Sequence, residues 1–133
     1  MARVMICDND SATVNQLVAA LRAVRHNVTT CHHTIDVLRG AVDGRIDLLA
    51  FGLDMHGFDG TSAIEVMQKL APDTLLIGLH KRPSEVMRTA VHSSLAAVLP
   101  RPVAVDTFIY AVARALETRE LRAPTPVRLN LRS

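Results

Sequence analysis

The chain has 133 residues, a formal net charge of +2 and 49% hydrophobic residues, the profile of one domain that can build a core without metal or disulfide staples. So small a net charge gives no argument for nucleic acid, and no apolar run approaches the ~20 residues of a membrane span. The N-terminus runs straight into a strand-like segment with no signal-peptide plan, so a cytoplasmic protein is expected.

Aromatic residues make up only 3% of the chain, so the core is expected to be aliphatic. Arg3 to Cys7 is the first apolar run, closed by Asp8-Asn9-Asp10. Val14, Leu17, Val18, Leu21 and Val24 then recur at three and four, one face of a helix with Asp10 or Ser11 as its N-cap. His26 to Cys31 is a β-branched second strand, and Ile35, Leu38 and Val42 mark a shorter helix stopped near Gly44. Cys7 and Cys31, both inside apolar runs, are expected to be reduced core thiols. Ile46 to Phe51 is a third strand, followed by a glycine-rich loop through Gly60. Thr61 to Leu70 is a helix with Ile64, Met67 and Leu70 inward, and Thr74 to Leu79 is a fourth strand. Pro83 to His92 is a helix with proline in its first turn, and Leu95 to Leu99 is a fifth strand. The last helix runs from Val105 to about Leu121 with Val105, Phe108, Ile109, Val112 and Leu116 inward.

Five strands, each followed by a helix and apolar on both faces, predict an α/β fold with a parallel, doubly wound sheet. The flavodoxin-like (βα)5 order 2-1-3-4-5 fits units of this length, and it puts the working site at the carboxyl ends of the strands. The domain is expected over residues 1–120, with 121–133 as a tail or linker containing Pro124 and Pro126. The loops of interest are therefore 8–11, 52–60, 80–83 and 100–103.

Those loops hold Asp8, Asn9 and Asp10 after strand 1, Gly52, Asp54, His56 and Asp59 after strand 3, His80 and Lys81 after strand 4, and Arg101 between two prolines after strand 5. The run from Asp47 to Gly60 is similar to a strand-3 motif of aspartate, three or four apolar residues, aspartate, two residues, Met-Pro, one residue, an apolar residue and Asp-Gly, with Met55, Asp59 and Gly60 in register. With Arg101-Pro102 in place of Lys-Pro and Asp8-Asn9-Asp10 as an acidic cluster, residues 2–118 resemble the receiver domain of bacterial response regulators, the CheY-like superfamily.

The resemblance implies a domain of a two-component phosphorelay in which the strand-3 aspartate accepts a phosphoryl group beside Mg²⁺. That position is Gly52, which has no nucleophile. Asn9 stands for the second strand-1 acid, His80 for a Ser/Thr, Arg101 for the lysine, Val98 for an aromatic and His56 for the proline. The expectation is a degenerate pseudo-receiver with pocket residues Asp8, Asn9, Asp10, Gly52, Asp54, His80 and Arg101, no catalytic activity, Mg²⁺ binding lost or weak, and Arg101 paired with Asp8 across the vacant acceptor position.

Function would then rest on protein partners. The resemblance points to the surface of helix 4, strand 5 and helix 5, where Glu85, Arg88, Val98, Tyr110 and Arg114 lie, for a signalling partner or a homodimer. No contact with nucleic acid or membrane is expected. Other readings compete. A shift of register by two would make Asp54 the phosphoacceptor of a working receiver. Asp8, Asp54, His56 and His80 are candidate ligands for a zinc-like ion without a recognised spacing. Asp54-Met55-His56 is similar to the Asp-x-His phrase of cobalamin-binding domains, although there it follows strand 1 and its glycine falls here on Asp59. Neither a nucleophile elbow nor a glycine-rich phosphate loop is present. His26, His32, His33 and His92 are expected to carry no role.

Overall fold

The period-2 alternation of the strands decides which side chains meet. Val4 and Ile6 of β1 (Arg3–Cys7), Leu48 and Ala50 of β3 (Leu48–Gly52) and Ile77 and Leu79 of β4 (Leu75–His80) pack on one side of the sheet. There they meet Val14, Leu17 and Leu21 of α1 (Ser11–Ala23) and Phe108, Val112 and Ala115 of α4 (Val105–Arg122). The residues between them, Met5, Cys7, Leu49, Phe51 and Leu76, face the other side. They form a second core with Cys31 of β2 (Asn27–Cys31) and with Ala63, Ile64 and Met67 of α2 (Gly60–Leu70). β5 (Ala97–Pro100) completes a five-stranded, all-parallel sheet of order β2-β1-β3-β4-β5. This is the flavodoxin-like arrangement that the apolar pattern predicts.

The computed structural model describes residues 1–31, 33, 36–37, 39–40, 43, 46–54 and 60–122. The expected inward residues Ile35, Leu38 and Val42, the stop at Gly44, the motif positions Met55, His56 and Asp59, and His32 lie outside the described residues. So do residues 123–133. Among the described residues no helix is long and apolar enough to cross a membrane. Cys7 and Cys31 are register partners on β1 and β2, both buried and both free thiols. The buried Cys31 thiol donates to Cys7, which pushes its pKa up, and burial adds to that.

Several local expectations are corrected. Val24 is 49% exposed, because it is the C-cap of α1 and the helix has turned its last residue outward. Leu70 is likewise exposed, and Ala63 takes the inward place beside Ile64 and Met67. The helix expected over Pro83–His92 is broken in two: α3 spans Pro83–Met87 and a 3₁₀ turn spans Ala90–Ser94. Thr89 causes the break. Its hydroxyl and its backbone N–H both donate to the Val86 carbonyl, at 2.7 and 3.0 Å, which ends the helix. Leu95 does not open strand 5; its N–H donates to His92 O at 3.0 Å and closes the 3₁₀ turn. β3 and β4 each reach one residue beyond the expected end, to Gly52 and His80. The last helix continues past Glu120 to Arg122.

The amino-terminal edge of the sheet is tied by side chains. Asp47 Oδ2 accepts from the Arg3 N–H at 2.8 Å, and its Oδ1 meets the Arg119 guanidinium of α4 at 3.4 Å. His26 has a structural role that its sequence context did not reveal: its Nδ1 accepts from the Ala2 N–H at 3.1 Å. Burial, helped by the nearby terminal ammonium, holds its pKa below the ordinary histidine value.

Candidate functional site

β1 lies inside the sheet, between β2 and β3, so the residue that follows it emerges at the middle of the carboxyl edge. That residue is Asp8, a buried carboxylate with 0% exposure. β3 delivers Gly52 next to it, and the chain leaves through Leu53, whose N–H donates to Leu79 O at 2.8 Å. Gly78 on β4 makes room for this exit. A Cβ there would stand 2.5 Å from Leu53 Cδ1. Asp54 follows, anchored by the Lys81 N–H, which donates to Oδ2 at 2.8 Å.

The cation comes from the far end of the chain. The Arg101 N–H donates to His80 O at 3.2 Å, which fixes the backbone beyond β5 against the end of β4. From there the guanidinium reaches across the carboxyl edge. Nη1 donates to Asp8 Oδ2 and Nη2 to Asp8 Oδ1, each at 2.8 Å, while Nε donates to Asp54 Oδ1 at 3.0 Å. The planar fork thus grips one carboxylate end-on and a second from its side, a geometry that lysine's single ammonium cannot make. Arg101 is 17% exposed and Asp54 12%, so the clasp is poorly screened by water.

The electrostatics follow. Burial pushes the Asp54 carboxyl up, but the Lys81 N–H, the Arg101 hydrogen bond and charge, and His80 together outweigh it and hold its pKa below the usual value. The Arg101 pKa is raised, chiefly by its hydrogen bonds to Asp8, against the opposing effect of burial. Both Asp54 and Arg101 are therefore charged at neutral pH.

The other expected pocket residues are placed differently. Asp10 is the N-cap of α1 and not a member of the cluster: Oδ1 accepts from the Ala12 and Thr13 N–H groups at 3.1 and 3.4 Å, and Oδ2 accepts from the Thr13 hydroxyl at 2.8 Å. The Thr13 hydrogen bonds hold its carboxyl below the usual range. Asn9 is exposed. His80 Nδ1 accepts from the Arg82 N–H at 2.8 Å, so its ring proton belongs on Nε2. Among the described residues no group of three or more His, Cys, Asp or Glu could hold a metal ion. Glu85, Arg88, Tyr110 and Arg114 are exposed and Val98 is half-buried. Glu85 pairs with Arg82 at 3.3 Å, and Arg114 with Glu117 at 3.6 Å.

Asp54 as the second arm of the clasp was not legible in the sequence. It lies 47 residues from Arg101, and only the adjacency of the strand ends brings them together.

No family model matches the chain. Over 126 residues, 94% of this chain, it is 25% identical to the DNA-binding transcriptional regulator NtrC of Azospirillum brasilense, and it spans about a quarter (26%) of that protein's length. Among solved structures, the CheY-like response regulator receiver domain protein of Methanospirillum hungatei superposes with a TM-score of 0.83 at 19% identity, covering 92% of this chain and 99% of that one. The fold is that of a receiver domain. The response regulator TrrA of Thermotoga maritima, solved in complex with Mg²⁺ and BeF, matches with a TM-score of 0.75 at 17% identity over 86% of this chain and 99% of its own. The receiver fold puts the Arg101 clasp at the carboxyl ends of the strands, where open α/β sheets place their sites.

Proposed function

We propose that this chain is a signalling module of receiver fold, of the two-component type, that works without phosphorylation, catalysis or Mg²⁺, through contacts with protein partners. The observation that carries the reading is the Arg101 clasp, formed where Gly52 supplies no acceptor. In an ordinary switch, a ligand selects between two conformations by binding one of them better. Here the side chain of Arg101 already supplies a cation to Asp8 and Asp54, and that selects one arrangement of the strand ends. The residues present do not fit Mg²⁺. Both Asp8 oxygens receive Arg101 hydrogen bonds, Asn9 brings no charge, and a guanidinium occupies the place of positive charge. Asp54 makes a poor phosphoacceptor for the same reason, because each of its oxygens already accepts a hydrogen bond.

The surface for partners is the face carrying Glu85, Arg88, Val98, Tyr110 and Arg114. The reading also takes the protein as cytoplasmic, in keeping with its two reduced, buried thiols. Incubation with a small phosphodonor and Mg²⁺, followed by intact-mass measurement, tests the reading. The expected result is no added phosphoryl mass. A stoichiometric gain mapped to Asp54 would replace this reading with that of a working receiver.

A further inference from the structure

The chain has two cysteines, and the fold sets them side by side. Cys7 ends β1 and Cys31 ends β2, and the parallel pairing of those strands makes the two residues register partners. Both side chains belong to the core on the α2 side of the sheet, with Met5, Leu49 and Phe51. Register partners on adjacent parallel strands have Cα atoms one strand spacing apart, ~4.8 Å. That lies inside the range of about 4.4–6.8 Å that a disulfide spans. The thiols already interact, since Cys31 donates to Cys7. This hydrogen bond holds the Cys7 pKa below the ordinary thiol value, against burial and the charges of Asp8 and Asp36. The thiolate so favoured is the form that attacks an oxidant.

Access comes from the sheet edge. β2 pairs with β1 alone among the described residues, and Cys31, 5% exposed, is its last residue. Local opening is cheapest at such an end, and hydrogen peroxide, little larger than water, needs little of it. We propose that Cys7 and Cys31 form a reversible redox site, closed to a disulfide by a hydroperoxide, and that closure displaces Asp8 and loosens its clasp with Arg101.

The chemistry balances in two steps. The Cys7 thiol, having given its proton to solvent, attacks the peroxide: an S–O bond forms, the O–O bond breaks, and the leaving oxygen takes up a proton as water or alcohol. The Cys31 sulfur then attacks the sulfenic sulfur, an S–S bond forms, and the sulfenic oxygen leaves as water with the Cys31 proton. Two thiols are oxidised by one peroxide, and the protein loses two hydrogens.

The mechanical effect follows from dimensions. The Cβ atoms of register partners start near the strand spacing of ~4.8 Å, whereas a disulfide holds them at about 3.8 Å. Closure therefore draws the ends of β1 and β2 together by about 1 Å. Cys7 shares a peptide bond with Asp8, so the pull reaches a carboxylate fixed by two Arg101 hydrogen bonds of 2.8 Å. A bond closed under such tension is readily reduced by thiols, which makes the step reversible. This inference rests on the clasp of the proposed function and supplies it with an input. The two remain separable: the phosphodonor experiment probes Asp54, whereas the test below reads the cysteines.

The full 133-residue chain, reduced and folded, is treated with hydrogen peroxide and then with dithiothreitol. Intact mass and a non-reducing peptide map follow the sulfurs, and the Arg101 side-chain Nε–H resonance follows the clasp. The expected result is a monomer that loses two hydrogens, with Cys7 and Cys31 cross-linked, and a shift of the Arg101 signal that dithiothreitol reverses. Methionine oxidation adds oxygen instead, so the mass separates the two reactions. In a Cys7→Ala, Cys31→Ala variant, peroxide should leave the Arg101 signal where it was. The proposal is overturned if the folded chain forms no Cys7–Cys31 bond or if the bond joins two chains. It is equally overturned if the disulfide leaves the Arg101 signal unmoved, or if peroxide moves that signal in the double variant.

Discussion

Arg101 makes three charge-assisted hydrogen bonds to two carboxylates, and its effect is specific to its shape. Replacing it with methionine strips the buried Asp8 of its bidentate partner. An expected cost of about 3 kcal/mol would appear in urea unfolding, since an uncompensated buried charge is the expensive outcome. Adding Asp8→Asn to that variant should recover most of the loss. If the single variant unfolds at the same urea concentration as the parent, the clasp contributes nothing to the fold. Gly52→Asp on its own should accept no phosphate, because Asp8 remains held by Arg101 and Asn9 and His80 stand where other machinery would be. Ready phosphorylation of that variant would show the pocket intact but for one residue. The Arg101–Asp8 partnership was expected because both residues follow strand ends at the carboxyl edge of the sheet, although β3 and β4 lie between β1 and β5. Asp10 carried two expectations, a pocket residue after strand 1 and the N-cap of the first helix, and its hydrogen bonds to Ala12 and Thr13 show the cap.

At the scale of elements, the exit from β3 depends on Gly78. A Cβ there would stand 2.5 Å from Leu53 Cδ1 and 3.0 Å from its Cγ. Gly78→Ala should cost about 1–3 kcal/mol, and by displacing Leu53 it should also loosen Asp54. A thermal melt and the exchange rate of the Lys81 amide, which donates to Asp54, report the two effects separately. A slowed or unchanged amide exchange in a destabilised variant would break the link between them. The strands were legible from their apolar runs, and β1, β3 and β4 carry that signal on both faces. The helix after β4 was not. Its apolar pattern continues past Thr89, but local hydrogen bonds of that side chain to Val86 end the helix, and periodicity contains no trace of them.

The whole molecule should lose stability in two steps as pH falls. His26 has a lowered pKa in the fold, so the unfolded chain binds its proton more readily. Its contribution is complete above the unfolded value of ~6.5 and is lost as pH drops through the lower folded value. A His26→Gln variant, which keeps an acceptor for the Ala2 N–H, should lose this mildly acidic phase; an unchanged pH profile of the melting temperature would contradict the assignment. Asp54 is also lowered, so its contribution is present above the unfolded carboxylate value of ~3.9 and disappears only in stronger acid, where the clasp loses an arm. The most direct test of the central claim is the Arg101 side-chain Nε–H resonance, assigned by its absence in Arg101→Lys and followed while Mg²⁺ and beryllofluoride are added. The clasp predicts a slowly exchanging signal that neither addition moves. A saturable shift, or loss of the signal to solvent exchange, would show that the guanidinium yields its place to a metal and a phosphoryl mimic.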